Sequence, residues 1–174
     1  MRPFLSLAAS LLALLGLAQL IAAQPAPSLL ITEVFYDAPG RDADAEWIEL
    51  TNVGTAVINL SNIKLGDAQR AGSKEGMFRF PDGAAIEAGE VMVVAQTAVS
   101  FTNRYGFPPN FELQESDPNI PNMRRFILWA DGDLALNNEG DELLLLDDKN
   151  RLLDGVSYGN SQTQFASGVP LVPT

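Results

Sequence analysis

Carboxylates are the side chains in this 174-residue sequence whose type and spacing best suit chemistry. Asp37, Asp42, Asp44 and Glu46 crowd one short stretch. Asp131, Asp133, Glu139, Asp141 and Glu142 crowd another. Loop carboxylates suit a hard cation, since calcium takes roughly six to eight oxygen ligands. The first cluster, Asp37, Asp42, Asp44 and Glu46, is the candidate calcium site. Neither cluster has EF-hand spacing: Asp131-Gly132-Asp133 runs into Leu134, and no Gly stands at the sixth position. A second chemistry is acid–base work by two carboxylates held ~5 to ~9.5 Å apart. Glu33 and Glu49 are the candidates, if they sit on adjacent strands. A plainer role stands beside each reading. Loop acids serve as solvated turns, Glu33 hydrogen-bonds within a sheet, and Glu49 meets Lys64 or an Arg.

Absences narrow the field further. The chain has no His and no Cys. A Ser-His-Asp triad, a Cys-His pair, the usual zinc protease site and a His general base therefore have no residues to build them. Disulfides and thiolate metal sites are excluded in the same way. Neither Asp-Thr-Gly nor Asp-Ser-Gly occurs, so an aspartic protease dyad has no motif, and no Gly-rich loop is built to cradle phosphate. The formal net charge is −11. Such a surface repels phosphate backbones, and Arg124, Arg125, Lys149 and Arg151 read as isolated cations, so direct nucleic-acid binding is not expected.

The elements that position these acids begin after an apolar leader. Met1-Arg2 gives a positive start, Phe4 to Ala23 is almost wholly apolar, and Ala22-Ala23 precede Gln24-Pro25. This is the layout of a secretory signal peptide, with cleavage expected after Ala23. An uncleaved anchor is the alternative, because a span needs ~20 apolar residues. Cleavage leaves a secreted or cell-surface protein with no membrane span. Gln24 to Ser28 is a Pro-rich spacer, and a single domain is expected over 29–174. About 150 residues bury roughly 68–70% of their unfolded surface, enough for a core without staples.

Short apolar runs follow, separated by turn residues. They are Leu29 to Tyr36, Glu46 to Thr51, Ala56 to Leu60, Ile63 to Leu65, Met77 to Phe80, Val91 to Ala95, Phe126 to Trp129, Glu142 to Leu146 and Arg151 to Tyr158. The spacing predicts an all-β sandwich or barrel. Asp147 to Asn150 is a hairpin loop. Ala98 to Tyr105 lacks alternation and stops at Gly106, which predicts a short helix. Phe107 to Met123 reads as a long irregular loop, either mobile or lying ordered over the sheet. Period two puts Ile48 and Leu50 on the core face of their strand and Trp47 with Glu49 on the other. In the first strand it puts Ile31, Glu33 and Phe35 together. Apolar groups on both faces make that strand central and Glu33 a partly buried carboxylate in need of donors.

The order of these pieces resembles the lamin-tail domain family, of the bacterial exported type. The residues that carry the resemblance are Ile31-Thr32-Glu33-Val34, then Glu46 to Asn52, Val57 to Asp67, and Phe80-Pro81-Asp82-Gly83 leading to Val91–Ala95. They continue through Phe101 to Gly106, Leu136-Asn137-Asn138-Glu139-Gly140-Asp141 and Leu153 to Gly159. The resemblance implies an immunoglobulin-like β-sandwich with one short helix and a long irregular loop. It implies an interaction or attachment module without catalysis, whose partner is a protein, a glycan or an envelope component. The family pattern leads one to expect a further strand after the return strand. Its absence before Thr174 suggests a fragment, or an edge strand filled by a partner. The alternatives are a small carboxylate-dependent hydrolase acting on extracellular polymers and a calcium-stabilised surface adhesion domain.

Overall fold

The computed structural model describes residues 28–39 and 44–165. The leader, residues 24–27 of the spacer, Asp42 and the C-terminal residues 166–174 lie outside them.

Two sheets pack face to face. One has the order β1 (Leu29–Phe35), β2 (Trp47–Asn52), β7 (Val91–Ala95), β8 (Phe111–Glu112). The other has the order β11 (Leu152–Gly159), β10 (Gly140–Leu146), β4 (Lys64–Gly66), β5 (Met77–Arg79), β9 (Arg124–Arg125). A small ribbon joins β3 (Ile58–Asn59) to β6 (Ala85–Ile86). The helix α1 (Ala98–Tyr105) starts at Thr97, whose hydroxyl accepts the Ser100 N–H, and stops at Gly106 with φ 81°. The Gly106 stop is the signal read in the sequence; the Thr97 cap adds to it.

Ile48, Leu50, Met92 and Val94 of one sheet meet Leu65, Phe78, Leu143 and Leu145 of the other in the main core. The run Leu143–Leu146 is buried on both faces, because β10 is an interior strand of the larger sheet with both of its faces covered. Its outer residues, Leu144 and Leu146, join Met77, Trp129 and Leu152 in a second cluster on the outside of that sheet. A third cluster forms outside the smaller sheet, where Trp47, Ala95 and Phe101 pack under α1.

Both sandwich seams are tied. At one, the N–H of Ile31 in β1 donates to the Asp154 carboxylate of β11 at 2.8 Å. At the other, Glu112 of β8 bridges to Asn122, just before β9.

Two sequence expectations are corrected. β1 is an edge strand, not a central one, and Glu33 is exposed. A bulge turns Glu33 out: Ile31 pairs with Leu50 but Glu33 with Glu49, leaving Thr32 extra. One extra residue reverses the alternation. Ile31 faces the core, Val34 rather than Glu33 resumes that face opposite Ile48, and Glu33 turns outward. The second correction is Phe126–Trp129, which forms a turn rather than a strand. The long loop Phe107–Met123 is ordered against the smaller sheet, with β8 parallel to β7.

Candidate functional site

Two buried acids, Glu46 and Asp67, converge on one irregular stretch. Residues 134–137 connect the outer cluster to β10 and belong to no strand. Buried backbone groups still need partners, and four consecutive residues each find a different side chain. The Gln96 amide donates to the Leu134 carbonyl at 2.6 Å. The Ala135 N–H donates to Asp67 at 3.2 Å, the Leu136 N–H to Glu46 at 3.3 Å, and the Asn137 N–H to Asp141 at 3.1 Å. Asp67 also accepts the Gly76 N–H at 2.6 Å, so it ties β4 to the chain leading into β5. Gln96 further links to Glu46 at 3.4 Å and accepts from the Gln114 amide at 3.2 Å. These side chains do the work that a neighbouring strand would do.

Gathering carboxylates in a sandwich end has an electrostatic cost. Burial pushes the Asp67 carboxyl up to about 7, against its two N–H donors and with help from the Asp141 charge. Burial also raises the Tyr158 hydroxyl, reinforced by Asp141, Glu46, Tyr36 and Asp67. Tyr158 stacks on Tyr36 with ring centroids 4.2 Å apart. Its hydroxyl is buried and finds no hydrogen-bond partner among the described residues.

The sequence candidates fall in separate places. Glu46 is buried, 3% exposed, and holds Leu136 as above. Asp37 is exposed and accepts from the Asn138 amide at 3.4 Å. Asp44 is half-buried, and its backbone carbonyl accepts the Thr97 hydroxyl at 2.9 Å. Asp42 lies outside the described residues. Among the described residues, no three acids gather as metal ligands. In the second cluster, Asp141 and Glu142 serve the scaffold. Glu142 accepts the hydroxyls of Ser161 at 2.8 Å and Thr163 at 3.2 Å. Asp133 pairs with Arg125, while Asp131 and Glu139 are exposed.

Glu33 and Glu49 are indeed direct cross-strand neighbours. They lie on the outward face of the smaller sheet, where Glu49 accepts the Thr32 hydroxyl at 2.7 Å. The expected Glu49–Lys64 pairing does not form. Lys64 is buried, 4% exposed, and donates to the Asp147 carbonyl and the Asn150 side chain, each at 2.7 Å. Burial lowers its pKa, partly offset by Asp147 and Asp148. The expected isolation of three cations is also corrected. Arg124 pairs with Asp82 at 2.8 Å, Arg125 with Asp133, and Arg151 with Asp147 at 2.7 Å.

Sequence reading missed Asp67 and Glu112. Glu112 accepts the Ala98 N–H at 2.8 Å and the N–H groups of Ser116 and Asp117 at 3.1 Å, pinning α1 to the loop beyond β8. Burial pushes this carboxyl up, but the Ser116 hydroxyl and those three N–H groups outweigh it and hold it below its ordinary value. A signal existed. Glu46, Asp67 and Glu112 each stand alone between small or apolar neighbours, as in Phe111-Glu112-Leu113. An acid in that setting is expected to be buried and bonded.

These features define an immunoglobulin-like β-sandwich whose buried acids hold its own backbone. A family model of the lamin tail domain matches residues 22–160. The chain belongs to the lamin tail domain family. No curated protein matches it. It is similar to the crystal structure of a DUF4876 family protein from Bacteroides thetaiotaomicron VPI-5482, with 14% identity and a TM-score of 0.49. That likeness covers 70% of this chain, and this chain spans 42% of that one.

Proposed function

We propose that this protein is an exported, non-catalytic attachment module that holds itself, or whatever it is joined to, against the cell envelope. One observation carries the reading. Every buried carboxylate and ammonium group among the described residues, namely Glu46, Lys64, Asp67, Glu112, Glu142 and Asp147, is engaged in hydrogen bonds within the fold. A catalytic acid or base has to reach a substrate, and these groups face backbone and neighbouring side chains. What remains for function is the outer surface. Export rests on the leader, with its positive start, apolar run and Ala22-Ala23. Lamin tail domain membership supports a module rather than an enzyme.

The test is a binding isotherm of the purified protein on washed cells of the organism that makes it. Saturable binding, unchanged in Glu33→Gln/Glu49→Gln, is expected. Absence of saturable binding, or polymer hydrolysis abolished by that double substitution, contradicts the proposal.

A further inference from the structure

Two loops lie side by side at one end of the larger sheet. The first, 68–76, joins β4 to β5, and the second, 129–137, leads from the turn after β9 to β10. Backbone contacts hold them together. The Gly72 N–H donates to the Trp129 carbonyl at 2.6 Å, the Gly132 N–H to the Glu75 carbonyl at 3.1 Å, and Glu75 bridges to Asp133. No side chain fits at Gly76 or Gly132, because a Cβ there would meet the Leu134 N–H or the Lys74 carbonyl. The pair carries Ala68, Trp129 and Ala130 into the outer apolar cluster, and the Trp129 indole donates to the Ala68 carbonyl at 2.8 Å.

One carboxyl group joins the two loops at their inner end. Asp67 accepts the Gly76 N–H of the first and the Ala135 N–H of the second. It is buried, and among the described residues no ion pair reaches it. The titratable groups that face it are Asp141 on β10, Glu46 at the entry to β2, and Tyr158 on β11, which stacks on Tyr36. The other charged groups of the two loops, Arg70, Lys74, Glu75, Asp131 and Asp133, are exposed. A buried carboxyl among acids, with no cation beside it, is favoured as the neutral acid. The upward push on Asp67, to about 7, agrees with that placement.

We infer that the two loops form a pH-controlled flap with Asp67 as its latch: protonated, Asp67 holds both loops closed over Trp129, and ionised, it releases them together. The sign follows from burial. The closed flap favours the neutral carboxyl. The open flap leaves Asp67 in water, where it ionises at its ordinary 3.8. Opening therefore releases a proton. Its equilibrium constant rises by up to about tenfold per pH unit from the ordinary value toward 7, then levels off. The strands need not part, because Lys64–Gly66 and Met77–Arg79 pair outside the flap. The outer cluster is thus sealed in acid and offered to solvent toward neutral pH. The inference goes beyond the attachment reading and does not depend on it.

Amide hydrogen exchange of the purified protein from pH 4.5 to 8 tests this, with rates corrected for the intrinsic pH dependence of exchange. The amides of Gly72, Gly76, Gly132 and Ala135 report the flap, and those of Leu143 to Leu145 in β10 report global unfolding. Flap protection is expected to fall about tenfold per pH unit between pH 5 and 7 and to level off above 7. It should also stay below that of β10 and be insensitive to urea far from the unfolding transition, since a local opening exposes little surface. In Asp67→Asn, flap protection should be flat across the range. A second measurement needs no variant: the carboxyl-carbon NMR shift of Asp67 in the wild type should titrate near 7. Flap protection that ignores pH, that falls equally in Asp67→Asn, or that equals the protection of β10 throughout overturns the inference. So does an Asp67 carboxyl that titrates near 4.

Discussion

Asp67 holds two backbone donors at the end of the sandwich, and burial makes it a weak acid there. Its folded pKa of about 7 lies above the ordinary 3.8. Folding therefore favours its protonated form. Its stabilising contribution is complete below the unfolded pKa and is lost as pH rises toward 7. Asp67→Asn cannot ionise. The stability of this variant relative to wild type should climb between pH 4.5 and 8, by at most ~1.4 kcal/mol per pH unit. Urea unfolding across that range measures it, and a pH-independent difference would show that Asp67 ionises normally. Lys64 gives a second residue-scale test. Lys64→Met keeps most of the apolar stem over Phe126 but leaves the Asp147 carbonyl and the Asn150 side chain without their ammonium donor. The expected loss is ~2 kcal/mol, from buried acceptors left unpaired, read as a lower urea midpoint. An unchanged midpoint would mean that the hairpin needs no such staple.

The helix α1 is the element on which the outer aromatic cluster depends. Trp47 donates its indole N–H to the Tyr105 hydroxyl at 2.9 Å, and its ring meets Phe101 edge-on with centroids 6.1 Å apart. Thr97→Ala removes the N-cap, with an expected cost of ~1 kcal/mol. Near-ultraviolet circular dichroism should show Trp47 losing its fixed environment before the far-ultraviolet β signal changes. Simultaneous loss of both signals would contradict an independently fraying helix. This helix was legible because its stop, Gly106, is local chemistry. The strands were legible where period two held, as at Ile48 and Leu50. β1 was misread because the Thr32 bulge carries no composition signal, and every face beyond it reverses. Phe126–Trp129 was misread because four consecutive apolar residues have no alternation. Only the packing shows that Phe126 and Trp129 turn in while Ile127 and Leu128 turn out. The candidate site was legible as a set of acids but not as bonds. Glu46 was singled out as a ligand, yet its partner, Leu136, is 90 residues away.

At the scale of the whole molecule, acids serve two roles. Buried Glu46 and Asp67 stand in for missing strand neighbours along 134–137, and exposed ones keep the surface acidic in a chain of formal charge −11. Both sheet edges are tied at the seams, by Asp154 on β1 and by the Glu112–Asn122 bridge. Tied edges blunt strand addition by other chains. Attachment is the central claim. It is tested most directly by exporting a reporter enzyme fused after Thr174 from the organism that makes this protein. The measurement is the fraction of reporter activity that sediments with the envelope, compared with the reporter behind residues 1–23 alone. Most of the activity should sediment with the full fusion and remain in the soluble fraction with the leader alone. Equal partition of the two fusions would contradict the account.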